Sequence, residues 1–264
     1  MLIFGLMKNS LTVSLIQSNL FWEDVAANLS HFENLISNIK GTDIILMPEM
    51  FNTAFCPKSN HLAESMDGKT ISWMKEISKN QDCDIAGTLM IKEGKNIFNR
   101  LVWISKNGAI YTYDKHHLFS LIKEERYISK GKERIIVELE GWKICPLICY
   151  DLRFPVFSRN DVEYDMLIYL ANWPIKRIDA WDTLLKARSI ENQCYTIGVN
   201  RVGEDGNEIP FNGHSKVFDA FGNELFSASE NKEEVLQFEI SLDDLKLKRR
   251  QMNFLQDRDN FSLL

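Results

Sequence analysis

The chain changes character abruptly within twelve residues, Ile144-Cys145-Pro146-Leu147-Ile148-Cys149-Tyr150-Asp151-Leu152-Arg153-Phe154-Pro155. The apolar run predicts a buried strand that ends at Cys149, and the polar residues after it predict a turn and a helix that begins near Phe154. A thiol between a strand and a helix N-terminus has a lowered pKa and lies beside N–H groups that can hold an oxyanion. The alternative is that Cys149 is a small packing residue of the core. Partners elsewhere in the chain decide between these two interpretations.

Strand and helix patterns alternate along the rest of the chain in two loosely similar halves. Continuous apolar runs at 43–47 and 166–170 predict strands that are buried on both faces, and Asn107-Gly108 predicts the tight turn of a hairpin. We expect an α/β fold in which two sheets pack face to face with helices outside. The predicted helices cover 22–39, 72–81 and 178–193, and the other predicted strands cover 11–17, 84–90, 96–104, 109–114, 135–139, 142–148, 195–200, 214–218 and 235–239.

Size and composition predict a single domain over residues 1–264. At 264 residues and 45% hydrophobic content, the chain can bury a large core. A net charge of −6 and only one basic cluster, at 246–250, argue against nucleic acid as a partner. That cluster follows Asp243-Asp244, which predicts an exposed helix that is acidic at its start and basic at its end. The apolar tail at 248–264 is expected to dock on a partner subunit.

The cysteines and the first residues indicate a cytoplasmic protein. Five cysteines, an odd and scattered set, do not form the framework of a disulfide-rich secreted domain, so a reducing compartment is expected. Residues 1–6 are apolar but lack the basic residue and cleavage site of a signal peptide, and we interpret them as an upstream extension of the natural start. No apolar window approaches the length of a membrane span, and we expect no membrane partner.

Two further polar residues follow predicted strands in the same way as Cys149. Glu49 comes after the apolar run at 43–47, and Lys115 comes after the strand at 109–114. Strand ends collect polar groups where a site is built. In the enzyme interpretation Glu49 accepts the thiol proton, Cys149 attacks a planar carbon and Lys115 stabilises the charge on the substrate oxygen. Taken alone, each has an ordinary structural explanation, a cap for Glu49 and an exposed strand end for Lys115.

A metal-binding module is an alternative, because Cys145, Cys149, His116 and His117 are all residue types that bind zinc. On an extended strand, however, the two cysteines lie about 13 Å apart, which is too far for one tetrahedral ion. We therefore expect no metal. A non-catalytic scaffold is also an alternative, but all three residues of the proposed chemistry are present.

Three stretches closely resemble the three motifs of the nitrilase superfamily, the carbon–nitrogen hydrolases, and occur in the family's order. They are Leu46-Met47-Pro48-Glu49-Met50, Tyr113-Asp114-Lys115-His116-His117-Leu118-Phe119 and Ile148-Cys149-Tyr150-Asp151-Leu152-Arg153-Phe154-Pro155. Further similarity lies at 171–174, 187–192 and 213–217, so that the resemblance covers most of the chain. It implies a four-layer α-β-β-α sandwich of mixed sheets, a homodimer, and a Glu–Lys–Cys triad at Glu49, Lys115 and Cys149. No cofactor is expected.

The resemblance also implies a second glutamate after the lysine motif, which positions the lysine and the attacking water. Glu124 and Glu125 are adjacent candidates, and we favour Glu124 from its distance to Phe119. By the same resemblance, Lys115 and the backbone N–H of Tyr150 hold the oxyanion.

Within the superfamily, the segments 114–119 and 200–203 are most similar to the bacterial omega-amidases. Those enzymes hydrolyse the terminal amide of 2-oxoglutaramate and 2-oxosuccinamate to ammonia and a 2-oxo dicarboxylate. Such a substrate carries a carboxylate, so a cation is expected opposite the cysteine, with Arg177 as the first candidate and Arg153 as the second. Tyr150 and Trp173 are expected to line the pocket. Nitriles, N-carbamoyl compounds and other aliphatic amides are the alternative substrates.

Overall fold

The computed structural model describes residues 8–262. The strands, in chain order, are β1 (Ser10–Gln17), β2 (Ile44–Leu46), β3 (Asp84–Glu93), β4 (Asn96–Ile104), β5 (Ile110–Asp114), β6 (Val137–Leu139), β7 (Trp142–Ile148), β8 (Met166–Leu170), β9 (Tyr195–Val199), β10 (Val202–Glu204), β11 (Pro210–Asn212), β12 (Lys216–Phe218), β13 (Glu224–Ser227) and β14 (Glu234–Ser241). The α-helices are α1 (Val25–Ser37), α2 (Lys69–Gln81), α3 (Ile178–Asn192) and α4 (Leu242–Gln251). Apart from the helix predicted near Phe154, every predicted strand and helix is present, with shifts of a few residues at the ends.

Two six-stranded sheets contain nearly all of these strands. The first has the order β14-β1-β2-β3-β4-β5 and the second the order β13-β12-β9-β8-β7-β6, while β10 and β11 form a separate hairpin. At the centre of each sheet a short apolar strand runs parallel to both of its neighbours, β2 between β1 and β3 and β8 between β7 and β9. Both sheets are mixed, because the outer strands are antiparallel.

Side chains along the strands of the first sheet point alternately to its two faces, and each face contributes to a different apolar cluster. Val13 and Leu46 share one cluster with Ile144 of the second sheet, whereas Ile45 belongs to another cluster with Phe32 and other residues of α1 and α2. Each fully buried aliphatic side chain of this kind stabilises the fold by about 1.5–3 kcal/mol. The sheets therefore face each other with helices outside, and the predicted four-layer α-β-β-α sandwich is confirmed.

Helix α3 covers the second sheet at very close range. A Cβ atom at Gly198 of β9 would overlap the side chains of Leu185 and Trp181, both buried residues of α3. Only glycine permits this approach of the helix to the strand.

The predicted helix near Phe154 is wrong. Cys149–Arg153 form a short 3₁₀ turn, and Phe154 is extended, with φ of −117° and ψ of 86°. Pro155 disfavours a helical conformation at Phe154, and residues 155–158 form turns instead of a helix.

The C-terminal region is helical as predicted, with acidic residues in the first turn of α4 and basic residues in its last turn. It is less exposed than expected, because Arg249 donates to Gln193 O at 2.8 Å and to Asp165 Oδ1 at 3.0 Å. No helix within residues 8–262 is long and apolar enough to cross a membrane.

The tail after α4 is partly packed on its own chain. Leu255 is buried, whereas Met252 and Phe261 are exposed in the single chain. Docking of the tail on a partner subunit stays a prediction, as does the single-domain division. Residues 1–6, which were interpreted as an upstream extension, and the last two residues of the tail lie outside the described range.

Candidate active site

The predicted nucleophile lies in a strained turn at the carboxyl end of β7. Cys149 has a φ of +42°, in the left-handed region that non-glycine residues rarely adopt. It is half-buried and lines a cavity of about 440 Å³. The backbone oxygen of Asn172, which follows the adjacent strand β8, lies 4.0 Å from its Sγ. The parallel arrangement of β7 and β8 thus places both strand ends beside the cavity.

Glu49 follows β2 and reaches the same cavity from the first sheet. Its Oε1 accepts hydrogen bonds from Lys115 Nζ at 2.9 Å and from Asn99 Nδ2 at 2.8 Å. Its Oε2 accepts the backbone N–H of Asn172 at 3.0 Å. The carboxylate is fully buried and held by three donors, so its orientation is fixed.

Lys115 lies between two carboxylates. Its Nζ is 2.9 Å from Glu49 Oε1 and 3.1 Å from Glu124 Oε2, and it also lies 5.0 Å from the centre of the Phe55 ring. Glu124 also accepts the backbone N–H of Phe119 at 2.6 Å. The structure therefore places Glu124 beside the lysine, whereas Glu125 is exposed.

Glu49, Lys115 and Glu124, which we call the cage, shift the pKa of the Cys149 thiol and of Lys115. Burial raises the pKa of the Cys149 thiol, and the Glu49 carboxylate raises it further, while Lys115 opposes this. The expectation of a lowered thiol pKa is wrong, because desolvation outweighs the nearby ammonium and only a short 3₁₀ turn, not an α-helix, begins at Cys149. Burial alone would lower the pKa of Lys115, but Glu124 and Glu49 outweigh it and raise that pKa. At neutral pH a neutral thiol therefore faces a charged ammonium.

The four residues predicted to contact substrate all line the cavity: Tyr150, Arg153, Trp173 and Arg177. The Arg177 guanidinium lies 5.0 Å from the centre of the Phe119 ring, and that of Arg153 lies 4.9 Å from the Trp173 ring. Within residues 8–262 neither guanidinium has a hydrogen-bond or ion-pair partner. We call these two residues the arginine wall.

Several residues that support the site were not identified from the sequence. Asn99, in the middle of β4, holds Glu49 and accepts a hydrogen bond from Thr88 at 2.8 Å. Asn172 holds Glu49 through its backbone N–H and its side-chain amide. Asn172 follows a buried strand, and this position was a signal that the sequence analysis could have used. Asn99 lies within β4, and the side-chain alternation of that strand does not distinguish it.

The four residues considered for a metal site, His116, His117, Cys145 and Cys149, have other surroundings in the structure. The ring of His116 bonds Gly131 O at 3.0 Å and that of His117 bonds Asp151 at 2.8 Å, while burial raises the pKa of Cys145 to about 12. All five cysteines are free. The part of the chain that the structure describes contains no group of three His, Cys, Asp or Glu side chains arranged to hold a metal ion.

The chain is similar to known carbon–nitrogen hydrolases over nearly its whole length. The sequence pattern of the carbon–nitrogen hydrolase family matches residues 12–250. The omega-amidase YafV of Yersinia enterocolitica is 41% identical over 258 residues, which cover 97% of this chain and 100% of that protein. The 2-oxoglutaramate amidase of Bacillus subtilis is 32% identical over 239 residues, which cover 88% of this chain and 92% of that protein.

A similar solved structure extends this likeness to the fold. A CN-hydrolase superfamily protein of Xanthomonas campestris, with an arsenic adduct in its active site, superimposes with a TM-score of 0.95 at 38% identity. The match covers 97% of this chain and 100% of that chain.

Proposed function

The chain belongs to the carbon–nitrogen hydrolase family, and we propose that it is an omega-amidase-like hydrolase that releases ammonia from the terminal amide of a small 2-oxo acid amide. Substrates of this class are 2-oxoglutaramate and 2-oxosuccinamate. The proposal is supported by the similarity to an omega-amidase and a 2-oxoglutaramate amidase, and by a cavity in which a thiol, a carboxylate and an ammonium meet.

The arginine wall is the observation that carries the choice of substrate. Arg153 and Arg177 line the same cavity as Cys149, and their donors are free to bind a carboxylate or a keto oxygen. Guanidinium groups bind carboxylates bidentately through charge-assisted hydrogen bonds, each worth about 1.5–3 kcal/mol. A substrate with an amide at one end and a 2-oxo acid at the other satisfies both the thiol and the wall.

In the acylation half-reaction, Glu49 accepts the thiol proton as Cys149 Sγ forms a bond to the amide carbon. The carbonyl oxygen becomes an oxyanion, which Lys115 Nζ and the backbone N–H of Tyr150 stabilise. Glu49 then returns the proton to the amide nitrogen, the carbon–nitrogen bond breaks and ammonia leaves. Because the thiol is neutral beforehand, it needs this adjacent base at the moment of attack.

In the second half-reaction a water molecule hydrolyses the acyl-thioenzyme. Glu49 accepts the proton of the water as its oxygen attacks the thioester carbon, and the same two donors hold the second oxyanion. The carbon–sulfur bond breaks, the thiolate takes the proton from Glu49, and the carboxylic acid is released. Glu124 keeps Lys115 in place throughout, since it lies 3.1 Å from that ammonium.

The substrate class is tested by ammonia release from 2-oxoglutaramate, glutamine, a simple nitrile and an N-carbamoyl amino acid. We expect the highest kcat/KM for 2-oxoglutaramate. Cys149→Ala gives the background rate, and we expect its free energy of unfolding to stay within about 2 kcal/mol of the wild type. Release from 2-oxoglutaramate no faster than this background would contradict the proposal, and faster release from another compound would identify the alternative substrate.

We further propose that the enzyme works as a homodimer in the cytoplasm. Five free cysteines suit a reducing compartment, and exposed apolar side chains of the tail, including Met252, offer a surface for a second copy. Light scattering of the wild type and of Met252→Asp tests this: a mass near 31 kDa for the wild type contradicts the dimer.

A further inference from the structure

Asp151 is a buried carboxylate that has no role in the proposed reaction. It contacts both the segment around Lys115, here called the lysine loop, and the turn that contains Cys149, here called the cysteine turn. Its Oδ2 accepts hydrogen bonds from Tyr113 OH at 2.7 Å and from Ile148 N at 3.1 Å. Its Oδ1 lies 3.0 Å from His117 N and 2.8 Å from His117 Nδ1. Four hydrogen bonds to one fully buried carboxylate indicate a rigid junction.

On one side this junction closes the turn that presents the nucleophile. The bond from Ile148 N to Asp151 spans Cys149, whose positive φ is unfavourable for a residue with a side chain. Backbone strain of this kind persists only where the surroundings fix the conformation. Asp151 provides such a restraint, because its hydrogen bond from Ile148 N closes the turn that contains both Cys149 and Tyr150.

On the other side the junction holds the loop of the catalytic lysine. Tyr113 lies two residues before Lys115 and His117 lies two residues after it, and both bond to Asp151. Tyr113 OH also accepts the backbone N–H of His116 at 3.1 Å. The backbone is therefore tied to the same carboxylate on both sides of Lys115.

We infer that Asp151, acting through Tyr113 and His117, is a positioning residue that sets the lysine loop and the cysteine turn at the distance required for the oxyanion. This inference rests on the proposed cysteine-dependent amide hydrolysis. Lys115 and Tyr150 N–H act on a charge that develops only in the transition state, so their misplacement lowers kcat rather than raising KM. Arg177 of the arginine wall lies in another segment, whereas Arg153 ends the same short turn as Asp151. We therefore expect KM to change much less than kcat.

The first test is Tyr113→Phe, which removes the hydrogen bond to Asp151 and the one from His116 N–H and adds no new group. We expect kcat to fall about ten-fold with KM within about two-fold, because small displacements of a catalytic group have large effects on rate. Tyr195→Phe is the matched control, since Tyr195 is also buried and its hydroxyl bonds Ser241 O at 2.9 Å and Asp244 Oδ2 at 3.1 Å, outside the cavity lining. The control is expected to keep kcat within about two-fold of the wild type.

The second test is Asp151→Asn, which leaves one acceptor oxygen and directs an NH₂ group at groups that are themselves donors. We expect a fall in kcat of about 100-fold, again without a matching rise in KM. Tyr113→Phe decides the question if this variant does not fold.

A readout that does not depend on the amide separates this inference from the proposed function. Alkylation of Cys149 by iodoacetamide, followed by peptide mass analysis across pH 6–9, is expected to be at least about three-fold faster in Tyr113→Phe than in wild type, because a loosened turn exposes the thiol. Tyr195→Phe should match the wild type. Equal kcat and equal alkylation in the two tyrosine variants would overturn the inference. If the wild type releases ammonia from no amide, the proposed function fails, and the alkylation rates alone then decide the role of Asp151.

Discussion

Lys115 and the two residues of the arginine wall line one cavity, but their charges have different partners. Lys115 lies within 3.2 Å of two buried carboxylates, Glu49 and Glu124. Arg153 and Arg177 lie over aromatic rings instead, and within residues 8–262 no carboxylate pairs with them. The ammonium is neutralised by the protein, whereas the two guanidiniums are oriented but not neutralised.

In the proposed function, Lys115 and its two carboxylates take part in the chemistry, and the two arginines bind the substrate acid. A buried ammonium between carboxylates is a fixed part of the fold, because removal of one partner leaves uncompensated charge in a medium of low dielectric constant. A guanidinium over a ring keeps its N–H donors, so its charge remains available to a substrate anion. Substitutions in the cage should therefore change activity and stability together, and substitutions in the arginine wall should change substrate binding alone.

The largest effect is expected for Lys115→Met. Glu49 and Glu124 then face each other without a counter-charge, and the free energy of unfolding should fall by about 3–5 kcal/mol. Ammonia release should fall to the Cys149→Ala background. Urea unfolding measures the stability, and Lys106→Met is the control, since its exposed pair with Glu140 contributes about 0–1 kcal/mol. Equal losses of unfolding free energy in the two variants would show that the buried ion pairs of Lys115 stabilise the fold no more than an exposed pair does.

The next largest effect is expected for Glu124→Gln. The amide keeps the shape of the side chain but removes one of the two charges that hold Lys115, and kcat should fall about 100-fold. Glu125→Gln, on the exposed adjacent residue, is the control and should keep kcat within about two-fold. Steady-state kinetics of both variants check this, and a larger loss in Glu125→Gln would reverse the assignment of the second glutamate.

A smaller and different effect is expected for Arg177→Met. Loss of the charge-assisted bonds should raise KM for 2-oxoglutaramate about 10- to 100-fold. The free energy of unfolding should change by less than about 0.5 kcal/mol, because no partner is left unpaired. An uncharged aliphatic amide is the control substrate, and its KM should not change. An equal rise of KM for both amides would mean that Arg177 shapes the cavity rather than binds the acid.

The smallest effect is expected for Cys145→Ala, which should leave ammonia release intact at pH 7. Burial raises the pKa of this thiol from its ordinary value of 9.0 to about 12. Above pH 9 the unfolded chain has lost a proton that the folded chain retains, so stability is complete below pH 9 and falls as the pH rises towards 12. This thiol contributes about 1.4 kcal/mol per pH unit to that fall. Urea unfolding at pH 8 and pH 10 should show a shallower fall in the variant, and equal slopes would contradict the shift.

The strands and the order of the site residues could be predicted from local pattern, because a buried strand requires an apolar run and a polar residue after it marks the strand end. Glu49, Lys115 and Cys149 became candidates in this way, and the resemblance of the motifs around them to the nitrilase superfamily favoured a catalytic role. Asn99 was not found, since an asparagine within a strand has no local signature and its contact with Glu49 joins positions fifty residues apart. The helix near Phe154 was predicted wrongly, because the polar composition suggested a helix start where the chain forms only turns.

The sequence by itself determined where the strands end and which side chains stand at those ends. Only the tertiary structure decided that the Cys149 thiol has a raised pKa, that Glu124 rather than Glu125 reaches Lys115, and that the two arginines lie over rings without a carboxylate. The physical reason is that strand positions follow from local periodicity along the chain. A pKa or a free guanidinium depends instead on burial and on charges that distant segments bring together.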